Sequence, residues 1–376
     1  MNVRSVRLLP FDVAPVAERV IRGARFSVRQ TGSFTLYTEE PLTYMTQRRR
    51  LDAYLAERAI EAGVTLREGS PVRQVERHRS HITVRTGGGE AFEGRTLVAA
   101  DGVNGTTAKL AGIDVKQWMV VGLEGNACPT GSFPSEWEDV LGLDGEAVPG
   151  YYGWIFPKGD HLNIGVAGWQ RYAPSLRARL NRLSRYYGFD AEALEGLRGH
   201  RLPMRKPDSP LVDGNVLLVG DAAGLLDPLT GEGIYAAIYS GGVAARHLGA
   251  YVDGKARDLQ GYVRELEQEL LPELRISSRL YDLLYFSPAT TIRVLRHVPG
   301  VFPILCDIVR GDRTYANMPR RLGPLFTGIE LAADAIRRTP RYRHLVDEHD
   351  PPRSERFLRP KAALRPVSGS RIAAGS

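Results

Sequence analysis

The chain of 376 residues carries only two cysteines, Cys128 and Cys306. They stand far apart, with no CxxC pair and no metal-ligand spacing, which disfavours zinc and iron–sulfur centres. Two isolated thiols build no disulfide framework, which fits a reducing compartment. No signal-peptide pattern is seen, and no unbroken apolar run is long enough to span a bilayer. No basic stretch is interleaved with aromatics, so nucleic acid is not an expected partner. The formal charge of +7 comes from many arginines, several late in the chain, and is a mild bias over this length. It suits a basic surface first and leaves open an anionic membrane or a phosphate-bearing ligand. The expected location is cytoplasmic, with peripheral membrane association open. The length suffices for one large α/β domain with an inserted layer, or for two domains.

What is present concentrates in residues 216–234, VLLVGDAAGLLDPLTGEGI. A short apolar run stops at Gly220-Asp221, a small-residue turn follows, and Gly231-Glu232-Gly233 opens an Ala-rich helical segment. The pattern reads as a buried strand that delivers one carboxylate, followed by a helix whose free N–H groups face the same place. A helix N-terminus favours electron-rich oxygen, and a carboxylate accepts hydrogen bonds from hydroxyls. Together they suit a ligand with a polyol chain and an electron-rich ring edge, as a flavin with its ribityl chain has. The bland alternative is a Gly-rich turn with no ligand.

Residues 43–63 have the 3.6-residue period of an amphipathic helix, with Leu51, Leu55, Ala59 and Ile60 on one face and Gly63 as its stop. Residues 64–67, 71–76 and 82–85 read as strands of a small antiparallel layer, with a turn at Gly87-Gly88-Gly89. Residues 96–100 read as a buried strand ending at Asp101-Gly102. Between 115 and 205 short apolar alternations suggest a second, sheet-based domain, with a helix at 176–187. Helices are expected at 259–271 and 275–284. The tail from 347 is rich in Pro, Arg and Ser and is expected to be disordered.

The GDAAG…P…GEGI pattern resembles the second flavin motif of FAD-dependent oxidoreductases built like aromatic hydroxylases, and its GEGI form resembles the geranylgeranyl reductase branch. The resemblance implies that Asp221 holds a ribityl hydroxyl and that Gly231, Gly233 and Ile234 lie under the pyrimidine end of the isoalloxazine. Gly220, Ala222, Gly224, Pro228 and Glu232 complete the motif. Arg48, Leu51, Asp52 and Leu55 are similar to the family's RxxFDxxL, which places an arginine near the FAD phosphates, a task that suits a guanidinium fork. The alternative is a solvated arginine run. Val98 to Gly102 resembles the ADG motif, with Asp101 close to the pyrophosphate. The family continues there with Ser and a later Arg, where this chain has Gly105 and Ala108. The alternative is a plain strand-end turn.

Pro149, Tyr152, Trp154, Phe156 and Pro157 spell PxxYxWxFP, with Gly165 following, which looks like the substrate-domain motif of geranylgeranyl reductases. A further family glycine falls at Ala167, with Gly168 next. Alternation points Tyr152, Trp154 and Phe156 to one face of a strand. They would line an apolar channel for an isoprenoid, or else they are sheet core.

The resemblance implies a Rossmann-like FAD-binding α/β fold, N-terminally truncated, with an inserted antiparallel-sheet substrate domain and C-terminal helices. The expected divisions are 1–114 and 206–254 for FAD, 115–205 for substrate, and 255–346 for helices. It implies FAD as cofactor, NAD(P)H or a reduced electron carrier as donor, and reduction of C=C bonds in the isoprenoid chain of a lipid, quinone or chlorophyll precursor. No proton donor is assigned. A flavin monooxygenase and a fragment unable to hold FAD are the alternatives; the WxWxIP of related halogenases is not spelled. Residues 292–309 mix apolar residues with Arg293, Arg296 and His297, as a membrane-surface segment or a buried helix pair broken at Pro299 would.

The family's GxGxxG fingerprint occurs nowhere in the chain. Three explanations stand: a start codon placed too late, a real fragment, or completion by another chain. The first predicts an in-frame GxGxxG in the DNA upstream of Met1. A stop codon just before Met1 removes it.

Overall fold

A computed structural model describes residues 1–129 and 131–345; the tail expected from 347 lies outside the described residues. The largest element is a seven-stranded sheet. Its order is Glu195–Arg205, Gln117–Ala127, Leu162–Trp169, Tyr151–Pro157, Val140–Val148, Gly23–Val28, Thr31–Tyr37. All pairs are antiparallel except Val140–Val148 with Gly23–Val28, which run parallel.

Alternation along these strands sorts the side chains into two faces. On one, Val121, Leu123, Ile155, Ile164 and Val166 pack under the Leu176–Tyr186 helix through Leu176, Leu180 and Leu183. On the other stand Tyr152, Trp154, Phe156 and Leu143, which meet the C-terminal helices through residues such as Ile276, Leu280 and Tyr281. Farther along this face, Phe26 and Leu143 lie beneath Leu295 of the Pro288–His297 helix.

The second half of the molecule is built on a smaller sheet. Val216–Leu218 runs parallel to Leu97–Ala99 and antiparallel to Val212–Asp213. Its core is Leu217, Leu218, Val243, Tyr262 and Leu266, with the Ile234–Val252 and Gln260–Glu269 helices packed on it.

Several local expectations are corrected. The expected helix from 43 starts only at Arg48 and runs to Glu61, because Thr43–Met45 pairs as a strand with Arg19–Ile21. On that helix Leu51 alone is buried, and Ile60 is exposed. Residues 64–67 form no strand, while Ala91–Gly94, which the reading passed over, adds a third strand to Val72–Arg77 and Ile82–Thr86. The sheet expected within 115–205 also takes in Gly23–Val28 and Thr31–Tyr37 from early in the chain. The break at Pro299 is present, between the Pro288–His297 and Val301–Arg310 helices.

One packing contact shapes the face that carries Trp154. Trp154 pairs in register with Gly165 on the next strand. A Cβ built on Gly165 would stand 2.0 Å from the indole Cζ2, so the ring lies flat where a side chain would otherwise be. The ring then reaches the strand beyond, 3.5 Å from the Cβ position of Gly122. Gly165→Ala should therefore displace the indole and cost about 2–3 kcal/mol, as overpacking does. Exposed Gly242 in the Ile234–Val252 helix has nothing within 4 Å of its Cβ position. Gly242→Ala should instead stabilise by about 0.5–1 kcal/mol. Urea midpoints of the two variants check both signs.

Candidate flavin and substrate site

The buried Val216–Leu218 strand ends at Gly220, and a short 3-10 turn, Gly220–Ala223, presents Asp221. Gly220 N donates to Ser240 Oγ at 3.0 Å, which pins the turn to the Ile234–Val252 helix. Ala222 is buried, and Gly224 sits where a Cβ would come within 3.1 Å of the Arg205 backbone. The sheet grips this turn directly. Arg205 N donates to Gly224 O at 2.9 Å, and Gln117 Nε2 to Asp221 O at 3.2 Å.

The loop that follows is organised by Asp227. Its Oδ1 accepts from Leu229 N, Thr230 N and Ser277 Oγ at 2.9, 3.0 and 2.6 Å. Pro228 is buried inside it. Gly231 turns the chain at φ +68°, beside the hydroxyls of Tyr151 and Tyr152, which would lie 3.1 and 3.2 Å from a Cβ there. The carbonyls of Leu229 and Thr230 accept from Tyr285 and Tyr152, respectively. Glu232 folds forward, both of its oxygens accepting from Tyr235 N. Burial raises its carboxyl, with the Met1 amino group acting against the rise. The Ile234–Val252 helix begins after Gly233, so the first amides face out of it without intrahelical partners.

Asp221 and Gly233 meet at this point. A Cβ on Gly233 would lie 2.9 Å from Asp221 Oδ1. Among the described residues no group donates a hydrogen bond to the Asp221 carboxylate, although the residue is largely buried. Burial raises its carboxyl above the ordinary Asp value, and Arg48 acts against that rise. A largely buried carboxylate lacking donors, at a helix N-terminus cleared by glycine, fits a ligand that brings hydroxyls. The donor set thus matches the ribityl and ring portion of a flavin.

Arg48 and Asp101 stand differently. Arg48 is exposed and pairs with Asp52 at 3.0 and 3.2 Å, while its charge reaches Asp221. The Asp101 side chain, although exposed, is spent on its own loop, its Oδ2 accepting from Thr106 N, Thr107 N and Thr107 Oγ1 at 2.7–2.9 Å. It thereby caps the Thr107–Leu110 helix. Gly105 fits this geometry, since a Cβ there would lie 2.2 Å from the Asp101 Cγ.

Tyr152, Trp154 and Phe156 form a row, with centroids 6.1 Å apart from Tyr152 to Trp154 and 6.0 Å from Trp154 to Phe156. Tyr151, which the sequence reading passed over, extends it: Gly150 at φ +77° turns this ring to the same side, stacked 5.2 Å from Tyr152 and 5.5 Å from Tyr285. Polar residues at the Phe156 end were also missed. Trp154 Nε1 donates to Asn163 Oδ1 at 2.9 Å, and Asn163 Nδ2 donates to Asn126 Oδ1 at 3.1 Å. The signal was there: Glu124 and Asn126 interrupt an apolar strand two residues apart, which places them on one face.

No family model matches the chain. A digeranylgeranylglycerophospholipid reductase 2 of Methanothermobacter thermautotrophicus is 30% identical over 322 residues, 73% of this chain and 79% of that protein. A chloroplastic geranylgeranyl diphosphate reductase of Oryza sativa subsp. japonica is 32% identical over 272 residues, 65% of this chain and 57% of its own length. An uncharacterized protein of Methanosarcina barkeri is 28% identical, and the chain covers 66% of it. The chain thus spans about three fifths of the rice protein and about two thirds of the Methanosarcina one. Among solved structures, a geranylgeranyl bacteriochlorophyll reductase-like protein from Thermoplasma acidophilum superposes with a TM-score of 0.67 at 21% identity, over 84% of this chain and 85% of that one. A flavin-dependent brominase variant superposes with a TM-score of 0.66 at 15% identity, over 87% and 89%. Among the described residues, no helix is long and apolar enough to cross a membrane, and no group of three metal-binding side chains occurs. By this likeness in sequence and fold, the chain belongs to the geranylgeranyl reductase family of FAD-dependent flavoproteins.

Proposed function

We propose that the chain holds FAD and reduces C=C bonds in the isoprenoid chain of a lipid, quinone or chlorophyll precursor. The observation that carries this reading is the junction of the aromatic row with the flavin-motif loop, where the Tyr152 hydroxyl donates to Thr230 O. An apolar chain laid along Tyr152, Trp154 and Phe156 would end against Gly231 and its neighbours. The named substrates of the relatives, geranylgeranyl diphosphate and digeranylgeranylglycerophospholipid, are of that kind.

Asp221 would accept from ribityl hydroxyls, and the amides at Gly233 and Ile234 would face the pyrimidine end of the ring. Arg48 would leave Asp52 for a phosphate oxygen, and Asp101 would keep the turn near the pyrophosphate in shape. FAD, when bound and reduced by NAD(P)H or an electron carrier, supplies a hydride. The protein contributes placement: an unactivated alkene is a poor acceptor, so a dry aromatic wall that fixes its position carries much of the effect.

Two outcomes separate the alternatives. Purified with FAD, the chain should be yellow, and with dithionite as reductant it should add two hydrogens per double bond to geranylgeranyl diphosphate, read by mass spectrometry. A folded, colourless protein that FAD does not stabilise overturns the reading in favour of a fragment; NAD(P)H-dependent oxygen uptake with the double bonds intact overturns it in favour of a monooxygenase. Asp221→Asn should weaken FAD binding about tenfold or more, the worth of one hydrogen bond to a charged group. The same variant should raise the Tm of the cofactor-free protein, because it removes a largely buried charge that lacks donors.

Membrane contact belongs to the same proposal. Val294, Val298 and Ile304 are exposed at the Pro288–His297 and Val301–Arg310 helices, and Arg293, Arg296 and His297 stand in the same segment. This pattern suits an anionic lipid surface. The chain should float with phosphatidylglycerol-containing vesicles and sink with neutral ones; sinking with both removes the idea.

A further inference from the structure

The aromatic row has a polar end that the proposed reduction has not used. Register places Trp154, Gly165, Glu124 and Arg198 side by side across four strands. Because Gly165 is bare, the indole fills its place and reaches the strand that carries Glu124 and Gly122. Gly122 in turn pairs with His200. His200 Nε2 donates to Glu124 Oε1 at 2.9 Å, so a histidine–carboxylate dyad borders the tip of the ring. The Glu124 side chain is 25% exposed and that of His200 is 49% exposed, so one is anchored and the other meets solvent.

Alkene reduction consumes one proton for every hydride. The hydroxyls along the row are poor sources. Those of Tyr152, Tyr281 and Tyr285 donate to the carbonyls of Thr230, Gly150 and Leu229. That of Tyr151 is shut in, without a partner among the described residues. Burial raises all four above the ordinary tyrosine value.

Resting on the reductase reading, we propose that His200, held by Glu124, is the general acid that protonates the substrate alkene. One alkene carbon takes a hydride, with its electron pair, from reduced flavin, which becomes oxidised. The other carbon takes the Nδ1 proton of the His200 imidazolium through the π electrons of the broken double bond. Neutral His200 keeps its Nε2–H on Glu124 and regains the Nδ1 proton from water. The charged groups facing His200 are Glu124 across the strand pair, Arg198 on its own strand, and Arg48 from the Arg48–Glu61 helix. Glu124 raises the imidazole above its ordinary value, with burial, Arg198 and Arg48 acting against it. Burial opposes ionisation of Glu124, yet His200, with Lys158 and Asn163, holds its carboxyl low. The charge of Arg48 acts on both His200 and Asp221.

The test uses the full chain with dithionite-reduced FAD and geranylgeranyl diphosphate. His200→Asn should slow hydrogenation at least about a hundredfold, the worth of general acid catalysis, with FAD affinity unchanged. Wild-type activity should fall as pH rises through the His200 pKa, because only the imidazolium can donate. In Glu124→Gln that fall should move to lower pH, and the His200 titration followed by NMR should move with it. A wild-type rate and pH profile in His200→Asn, or a His200 titration that ignores Glu124→Gln, overturns the dyad while leaving the reductase reading intact. A wild-type chain that leaves geranylgeranyl diphosphate unreduced overturns the reductase reading, and the dyad with it.

Discussion

The structure depends on one seam, where the turn and loop of residues 220–233 are hydrogen-bonded to the large sheet and to the C-terminal helices. Arg205 and Gln117 reach the turn from two neighbouring strands, Tyr152 reaches the loop from a third, and Ser277 and Tyr285 reach it from the Leu271–Phe286 helix. Most of these bonds engage loop carbonyls, which leaves the Asp221 carboxylate without a partner among the described residues, while Glu232 takes the Tyr235 amide at the start of the helix. The seam thus does two things: it satisfies the inner polar groups of a Gly-rich segment, and it sets the Asp221 carboxylate at a fixed distance from the aromatic row.

The two carboxylates of the loop show the division of labour. Asp227 accepts from two amides and a hydroxyl through its Oδ1, and it holds the backbone in shape. Asp221, six residues earlier, receives nothing from the described residues and carries the electrostatic cost of its position. This contrast between a carboxylate that receives protein donors and one that receives none supports the proposed hold of Asp221 on a ribityl hydroxyl.

Much of this was legible in the sequence because the features were local. The strand, turn and helix around Asp221 follow one another within 19 residues, 216–234, and Tyr152, Trp154 and Phe156 share a face through simple alternation. What escaped was set by partners distant in the chain. Thr43–Met45 reads as part of a helix until Arg19–Ile21 pairs with it. His200 and Glu124 are 76 residues apart, and only the register of two strands brings them together. Tyr151 should face away from Tyr152 by alternation, and the backbone turn at Gly150 brings it round. The likeness to known flavoproteins supplied the family, but likeness could not show that Asp101 spends its carboxylate on the Thr107–Leu110 helix, since that follows from the local turn.

The indole lying over two glycines also orders the changes this site can undergo by descent. As long as Trp154 is in place, a larger residue at position 165 collides with it. A smaller residue at 154 leaves position 165 free to vary. Tryptophan must therefore be lost before the strand beneath it can diversify, and once a side chain has grown at 165 the way back is closed. Lineages that share this platform should keep Trp154 and Gly165 together or lose them in that sequence.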